Sequence, residues 1–512
     1  SRPACSDMID TVALGGAVAM LAGSLHAWIW VVPGLLIGLV FGALPGISVS
    51  MAMALVLPAT LYMEFLPAII FLTSVYTGAG FGGSIPAVLI NIPGTSSAVA
   101  TTFDGYPMAR QGRHNEALGA ALFASCIGVL ISYLVLLLLV QPMAEVVLRI
   151  GPYEMAAIGI WGMVLLGSIG GASVAKGLFA AGLGILFGTV GMNTAGYMRG
   201  DMGIPWLLDG IPTIPAMVGL LAASQLFALV NAKFIVEAES ERRISLRRIL
   251  AGGAMVLRNP VTLLRGSAIG VFVGAVPGIG SSIANLLSYG ETRRNAADPG
   301  SFGKGEVRGV IAAESANSSS EGGSMATMLA LGIPGGGATA ILLAAFAMHN
   351  VIGGPRFMEQ SRDVVYAIIL SNFAQAAILV VVGTIFVYGA STIVRLPLRY
   401  LIPSVLVVST MGAFAIEGSI AGPITLFVFA VLGWLLSRYG FPVAAVVVGL
   451  LLGRLIETEM LRAWQLAGGD PWYVLNYPWA VAIVAVMLVS LALSVRRDIR
   501  RRRAVRAAAS PG

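Results

Sequence analysis

Ile37-Gly38-Leu39-Val40-Phe41-Gly42-Ala43-Leu44-Pro45-Gly46-Ile47-Ser48-Val49-Ser50 returns in the second half of the chain as Ile269-Gly270-Val271-Phe272-Val273-Gly274-Ala275-Val276-Pro277-Gly278-Ile279-Gly280-Ser281-Ser282, with eight of the fourteen positions identical. Other landmarks follow in the same order. Gly82-Gly83-Ser84 is echoed by Gly322-Gly323-Ser324, and Ile92-Pro93-Gly94 by Ile333-Pro334-Gly335. Gly167-Ser168-Ile169 is echoed by Gly418-Ser419-Ile420, and Val218-Gly219-Leu220-Leu221 by Val448-Gly449-Leu450-Leu451. Self-similarity kept in order over such distances marks a duplicated unit.

Composition says where the unit folds. Of 512 residues 57% are hydrophobic and 11% are charged, against roughly a quarter charged in a soluble domain. Apolar runs approaching the ~20 residues needed to cross a bilayer occupy Thr11–Trp30, Ala117–Val140, Ala156–Ile169, Leu178–Val190, Ile214–Val230, Val364–Val387, Pro423–Leu436 and Trp479–Val495. They predict an all-α polytopic membrane protein of ten to fourteen helical elements, some of them not full spans. The first run continues into further membrane sequence, so it reads as a true helix rather than a cleaved signal. Cys5 and Cys126 are far apart in sequence and suggest no disulfide or thiol metal site.

The net charge of +7 belongs to loops and a tail between apolar spans, which fits membrane topology and excludes nucleic acid as the partner. Seven arginines, Arg496, Arg497, Arg500–Arg503 and Arg506, follow the last span and predict a cytoplasmic C-terminus. The basic connector Lys233–Arg265 is expected on the same side, as is the N-terminus. In the first copy the stretch between the two Pro-Gly motifs carries Glu64 and no Lys or Arg, and Arg110 and Arg113 come after the second motif. In the second copy Arg293, Arg294, Lys304 and Arg308 lie between the motifs. If basic loops are cytoplasmic, the second copy is inserted upside down, a repeat type found in secondary transporters with the site near the midplane. The expected organisation is an N-terminal transmembrane helix (1–31), repeat 1 (32–231), a cytoplasmic basic linker (232–263), repeat 2 (264–456), a periplasmic segment (457–477), a last transmembrane helix (478–495) and a cytoplasmic Arg-rich tail (496–512).

Pro-Gly cannot continue a regular helix. Leu264–Tyr289 reads as a re-entrant hairpin with Pro277-Gly278 at its tip, and Pro33–Tyr62 as its counterpart. Broken backbone at membrane depth is tolerated only where protein or a water-filled cavity satisfies it, so the tips are expected to line a cavity. Around them stand small polar residues without fixed charge: Ser48, Ser50, Asn91, Thr95, Ser96, Ser97, Thr101 and Thr102, then Ser281, Ser282, Asn285 and Thr339. Helix N-termini there suit an organic anion, and freed carbonyls and hydroxyls suit a sodium ion. Close helix packing is the competing use of small residues. Packing is the favoured reading for Gly38, Gly42, Gly270 and Gly274; the site is the favoured reading for the four Pro-Gly pairs.

Glu314-Ser315-Ala316-Asn317-Ser318-Ser319-Ser320-Glu321 has no equally polar counterpart in the first copy. It reads equally as an ion-coupling element or gate and as a solvated loop. Asp104 reads equally as a turn cap and as a substrate contact, and Lys176 as a snorkelling cation more readily than as an anion ligand. His26, His114 and His349 lack metal-ligand spacing and a Walker loop is absent, so neither an intramembrane enzyme nor an ATP-driven pump is expected.

At these residues the sequence resembles the tripartite tricarboxylate transporters, specifically their large membrane subunit. The resemblance is carried by Gly42–Gly46, Tyr76–Ile85, Asn91-Ile92-Pro93-Gly94-Thr95, Thr102–Ala109, Gly303-Lys304-Gly305, Ala313–Asn317 and Leu331-Gly332-Ile333-Pro334-Gly335. It implies a bacterial inner-membrane importer of a di- or tricarboxylate, working with a small membrane subunit and a periplasmic solute-binding protein. The implied drive is an ion gradient, with Na+ the coupling ion and no cofactor. Breaks and resemblance together give Pro45, Gly46, Ser48, Asn91, Pro93, Gly94, Thr95, Ser96, Pro277, Gly278, Ser281, Ser282, Pro334, Gly335 and Gly336 as substrate-binding candidates. Ser50, Thr101, Asn285, Glu314, Asn317 and Ser318 are the ion-binding candidates. Gly335-Gly336-Gly337 departs from the family pattern, which has a more polar residue after this Pro-Gly. The expected fold is two inverted-topology repeats with re-entrant or broken helices meeting near the midplane, moving like an elevator, with rocking as the alternative. An anion channel and a lipid-processing membrane enzyme are the rival functions.

Overall fold

The computed structural model of the chain describes residues 10–44, 48–91, 93–147, 151–169, 174–193, 196–224, 245–276, 280–393 and 403–509 apart from 404, 405, 408, 412, 415 and 416. Apolar segments in lipid must satisfy their backbone internally, and these segments do so as helices. In chain order they are α1 (Thr11–Gly23), α2 (Leu25–Ile29), α3 (Val31–Gly42), α4 (Val49–Val56), α5 (Phe65–Gly82), α6 (Ser84–Ile90), α7 (Val99–Arg110), α8 (His114–Val147), α9 (Pro152–Ile169), α10 (Val174–Gly188) and α11 (Thr213–Val218), which a π turn over Gly219–Ala223 continues. The second half holds α12 (Leu246–Leu257), α13 (Pro260–Ala275), α14 (Gly280–Arg294), α15 (Val307–Leu331), α16 (Gly337–Met348), α17 (Pro355–Gln360), α18 (Arg362–Ile393), α19 (Ala421–Arg438), α20 (Val443–Leu466) and α21 (Pro478–Ala509). These elements outnumber the ten to fourteen expected because breaks cut apolar stretches into short pieces. A two-residue β-hairpin pairs Gly191 with Arg199 and Met192 with Met198.

Among the described residues, five stretches are long and apolar enough to cross a membrane: Leu25–Gly42, Phe65–Leu89, His114–Val140, Arg362–Gly389 and Ala421–Arg438. The last three contain runs evident in the sequence. Phe65–Leu89 was not evident, because Thr73, Ser74, Tyr76, Thr77 and four glycines interrupt its apolar pattern; those polar side chains are buried against other helices. The run Thr11–Trp30 is not one helix. Ser24 interrupts it, its hydroxyl accepting the Ala27 amide at 3.3 Å to start the next turn. The boundary drawn at 457 falls inside α20, and helix α21 runs on from the last apolar stretch into the arginine-rich tail. The linker's described part is α12, fastened to the start of α8 by the Arg248–Glu116 ion pair at 2.8 Å and by Gly252 against the Glu116 carbonyl. Residues 232–244 of the linker, like 225–231 at the end of repeat 1, lie outside the described residues.

Two glycine ridges set the interior. On α3, a Cβ at Gly34, Gly38 or Gly42 would overlap the carbonyls of Phe71, Val75 and Ala79 on α5. On α13, a Cβ at Gly270 or Gly274 would overlap the carbonyls of Ala316 and Ser320 on α15, and one at Gly266 would overlap the Ser315 hydroxyl and crowd the Ala312 carbonyl. Each ridge advances four residues per contact on both partners, so α3 runs parallel to α5, and α13 to α15. The returns made by Gly94 against the Gly42 carbonyl and Gly335 against the Gly274 carbonyl also match. Small residues let helices approach to backbone contact in this way, as expected for Gly38, Gly42, Gly270 and Gly274.

Contacts between the halves are reciprocal. Thr77 of α5 bonds Glu321 of α15, and Gly80, one turn further along α5, accepts from Asn317, one turn earlier on α15. Helices α5 and α15 therefore run antiparallel. Gly219 packs on the Leu426 carbonyl of α19, while Gly449 of α20 packs on the Ala181 carbonyl of α10. The loop before α5 places Phe65 against His349 and Phe357, with ring centroids 5.8 and 6.0 Å away. The corresponding loop before α15 sits instead at the end of α7, where Gln111 donates to the Lys304 carbonyl at 2.7 Å.

Gly270→Val is expected to lower stability by about 1–3 kcal/mol through overpacking. Gly290→Ala, whose Cβ meets open space, should instead be neutral or stabilising by roughly 0.5–1 kcal/mol. Thermal unfolding in detergent compares them, and equal effects would contradict the ridge.

Candidate functional site

Helices α4, α7, α14 and α16 each begin just after one Pro-Gly break, and their N-termini meet in two pairs, each joining one half to the other. In the first pair, Ser96 and Ser282 hydroxyls lie 2.7 Å apart, and the Asn285 side-chain amide donates to the Ser97 carbonyl. Thr95 and Ser97 hydroxyls pair at 3.0 Å, and the Gly94 amide donates to the Gly83 carbonyl at 3.0 Å. In the second pair, Gly337 opens α16 directly against the Ser50 hydroxyl, which leaves no room for a Cβ. Thr339 caps this helix, accepting the Gly336 amide at 3.1 Å, and Ser48 caps α4, accepting the Met51 amide at 3.1 Å.

Of the other substrate candidates, Asn91 is exposed in a left-handed turn with φ 62° that ends α6. Pro93 and Ser281 are half-buried at the first pair, and Pro334 and Gly335 are buried at the second. Pro45, Gly46, Pro277 and Gly278 lie outside the described residues. The four N-termini carry partial positive charge, and the ion pairs Arg199–Glu457, Arg248–Glu116, Arg294–Glu291, Arg308–Glu306, Arg362–Asp10 and Arg462–Glu459 lie elsewhere. Among the described residues, the tip contacts are made by hydroxyls, amides and helix ends.

The polar stretch 314–321 is not a solvated loop. It lies inside α15, where Glu314 and Ser315 are fully buried and Glu321 nearly so. Glu314, Asn317, Ser318 and Glu321 follow the i, i+3, i+4, i+7 spacing and share one helix face. Thr101 of α7 and Ser125 of α8 donate to the two Glu314 carboxylate oxygens, Ser125 at 3.0 Å. Ser84 of α6 faces the same carboxylate. Its Oγ is buried and has no hydrogen-bond partner among the described residues. Asn317 extends this set toward Gly80, where a Cβ would meet open space. One carboxylate with surrounding hydroxyls is a set of hard oxygen donors that fits a small cation such as Na+. Thr101, Glu314, Asn317 and Ser318 thus come together. Ser50 and Asn285 stand apart from them at the two tip contacts, where the Asn285 Oδ1 is buried without a hydrogen-bond partner among the described residues.

Asp104 has a structural task. Its Oδ1 accepts the backbone amides of Gly303, Gly305 and Glu306 at 2.8, 2.9 and 2.9 Å, and its Oδ2 the Tyr289 hydroxyl at 2.9 Å. Gly303 and Gly305 supply the left-handed turns, φ 83° and 100°, that aim those amides at one oxygen. Lys176 donates to the Tyr439 carbonyl and covers the Phe441 ring, away from the tips. The roles of Ser84, Ser125, Thr77 and Tyr133 beside the α15 carboxylates are not evident in the sequence, because all four stand far from residues 314–321 along the chain.

The sequence profile described as "Tripartite tricarboxylate transporter TctA family" matches residues 28–448. An uncharacterised 52.8 kDa protein from the TAR-I ttuC' 3' region of Agrobacterium vitis is 30% identical over 501 residues, 97% of this chain and 98% of that protein. A second uncharacterised protein, from the TAR-II ttuC' 3' region of the same organism, is 27% identical over 234 residues, 46% of this chain and 97% of that protein. No solved structure matches the chain.

With Cys5 and Cys126 replaced, Ser96→Cys and Ser282→Cys together should form a disulfide under mild oxidation. Ser96→Cys with Thr339→Cys, which lies at the other tip contact in the second half, should not, and electrophoretic mobility after proteolysis between the halves distinguishes the outcomes. Asp104→Ala strands three backbone amides and should cost about 3 kcal/mol, read as a lowered unfolding temperature; an unchanged temperature would contradict the anchoring role.

Proposed function

The chain belongs to the tripartite tricarboxylate transporter TctA family, and on that premise we propose that it is the large membrane subunit of a secondary transporter that imports a di- or tricarboxylate, or a similar organic anion, delivered by a binding protein. The observation that carries this reading is the pairing of helix N-termini at the Pro-Gly breaks, with hydroxyls and amides between them and no cation from the described ion pairs. Such ends bind carboxylates without a fixed positive charge, which keeps the empty carrier able to reorient. Ser48, Thr95, Ser96, Ser281, Ser282 and the backbone at Gly94 and Gly335–Gly336 are the proposed anion contacts.

Coupling to Na+ is proposed at Glu314 with Thr101, Ser84, Ser125, Asn317 and Ser318. Taking an ionised carboxylate out of water requires a compensating charge or dense hydrogen bonding. A bound cation supplies that charge, and its loss leaves the site unfavourable, which ties occupancy to the state of the carrier.

The two halves are proposed to be inverted repeats. Antiparallel α5 and α15, the matched glycine ridges and the exchanged loop contacts all support it. Alternating access then follows from moving the tip-bearing core against helices such as α10, α19 and α20, by a slide in preference to rocking. The proposed setting is the bacterial inner membrane with both termini cytoplasmic, beside a small membrane subunit and a periplasmic solute-binding protein.

Labelled di- and tricarboxylates should accumulate in proteoliposomes holding both membrane subunits and the binding protein when a sodium gradient is imposed. Glu314→Gln should cut sodium-driven accumulation at least about tenfold, equivalent to ~1.4 kcal/mol or more of cation affinity. Equal flux without any gradient or binding protein would favour a channel and contradict the proposal.

A further inference from the structure

Glu321 lies two turns from Glu314 on the same face of α15, and its surroundings differ in kind. Its side chain is only 2% exposed. The Thr77 hydroxyl of α5 lies 2.9 Å from Oε1 and 3.1 Å from Oε2, and the Tyr133 hydroxyl of α8 donates to Oε1 at 3.0 Å. The ionisable groups facing it are Tyr76 from α5 and Tyr133 from α8, with Glu314 two turns along its own helix. The α13 glycine ridge meets α15 at Ala312, Ala316 and Ser320 rather than at Glu321, and none of the ion pairs described above includes Glu321.

Hydrogen-bond capacity decides between the two charge states. A threonine hydroxyl has one proton to give and two lone pairs to accept with. Were Glu321 ionised, Thr77 could serve one oxygen only, and a buried anion would rest on two neutral donors. Asp104 shows the contrast, with three backbone amides and a tyrosine hydroxyl on its carboxylate. Were Glu321 neutral, its Oε2–H would donate to the Thr77 oxygen while Oε1 accepts from Tyr133, and each group would have a partner.

We propose that Glu321, with Thr77 and Tyr133, is a proton-binding site separate from the cation site at Glu314, so that the carrier takes up a proton as well as a metal cation. The step is an acid–base exchange alone. The carboxylic acid gives its proton to water on one side of the membrane, and the carboxylate regains one on the other. The two sites share the polar face through Asn317 and Ser318, a path that ends at the open space beside Gly80.

This inference rests on the reading of the chain as an ion-coupled carrier, and the test separates the two. In infrared difference spectra of the purified full-length chain at neutral pH, a protonated carboxyl C=O band should be present and should disappear in Glu321→Gln. An unchanged band intensity in that variant would overturn the proposal. In proteoliposomes at a fixed sodium gradient, an inward proton gradient should stimulate uptake by the wild-type chain, and Glu321→Gln should keep sodium dependence and lose the proton response. A proton response equal to the wild type, or loss of sodium dependence in its place, would overturn it. If Glu321→Gln transports nothing, Tyr133→Phe decides: removing one donor should displace the midpoint of the uptake–pH curve, and an undisplaced midpoint counts against the site. Should the wild-type chain move no carboxylate under any gradient, the carrier reading fails while the infrared result still settles the proton.

Discussion

Two helices reach backbone contact only where neither presents a side chain, and the arrangement of this protein depends on that contact being made twice. The ridge Gly34-Gly38-Gly42 on the α5 carbonyls and the ridge Gly266-Gly270-Gly274 on the α15 carbonyls fix two parallel helices in each half. The ridges end at Gly42 and Gly274, whose carbonyls meet Gly94 and Gly335. Lipid gives helices little apolar reason to associate, so close dispersion contact and shared polar groups must hold the core. The ridges supply the first, and the polar face of α15 the second.

That polar face is where structure and proposed function meet. A helix carrying two carboxylates is costly to place in lipid, and burying it between α5, α7, α8 and α13 is possible only because hydroxyls arrive from three of them. Glu314 has oxygen donors to spare, including the Ser84 Oγ that faces it without a hydrogen-bond partner of standard geometry among the described residues, while Glu321 is closed by Thr77 and Tyr133. The same helix thus offers one place suited to a metal cation and one suited to a proton. The anion contacts proposed at the tips lie beside them, because Asn317 and the Gly80 carbonyl join α15 to the helix that leads into the first tip.

Much of this was legible in the sequence, for identifiable reasons. The duplicated unit, the packing role of Gly38, Gly42, Gly270 and Gly274, and the breaks after α3 and α13 follow from local chemistry that glycine and proline write into short stretches. The crossing of tips was not legible, since Ser96 and Ser282 are joined by no local pattern. Asp104 left two readings open until the Gly303-Lys304-Gly305 turn was seen to supply its amides. The stretch 314–321 allowed a solvated loop because its composition is that of one; only the facing hydroxyls make it a buried helix. Phe65–Leu89 escaped notice as a span because the residues that serve the interior also dilute its hydrophobicity.

The central claim is that the two halves are equivalent units running in opposite senses through the membrane. Its most direct measurement uses right-side-out membrane vesicles and a membrane-impermeant thiol reagent, with Cys5 and Cys126 replaced and single cysteines placed at Glu64 and at Ala297, in the equivalent loops before α5 and α15. The account predicts that Glu64→Cys reacts in intact vesicles, whereas Ala297→Cys reacts only after the membrane is opened. Reaction of both from the same side would contradict it.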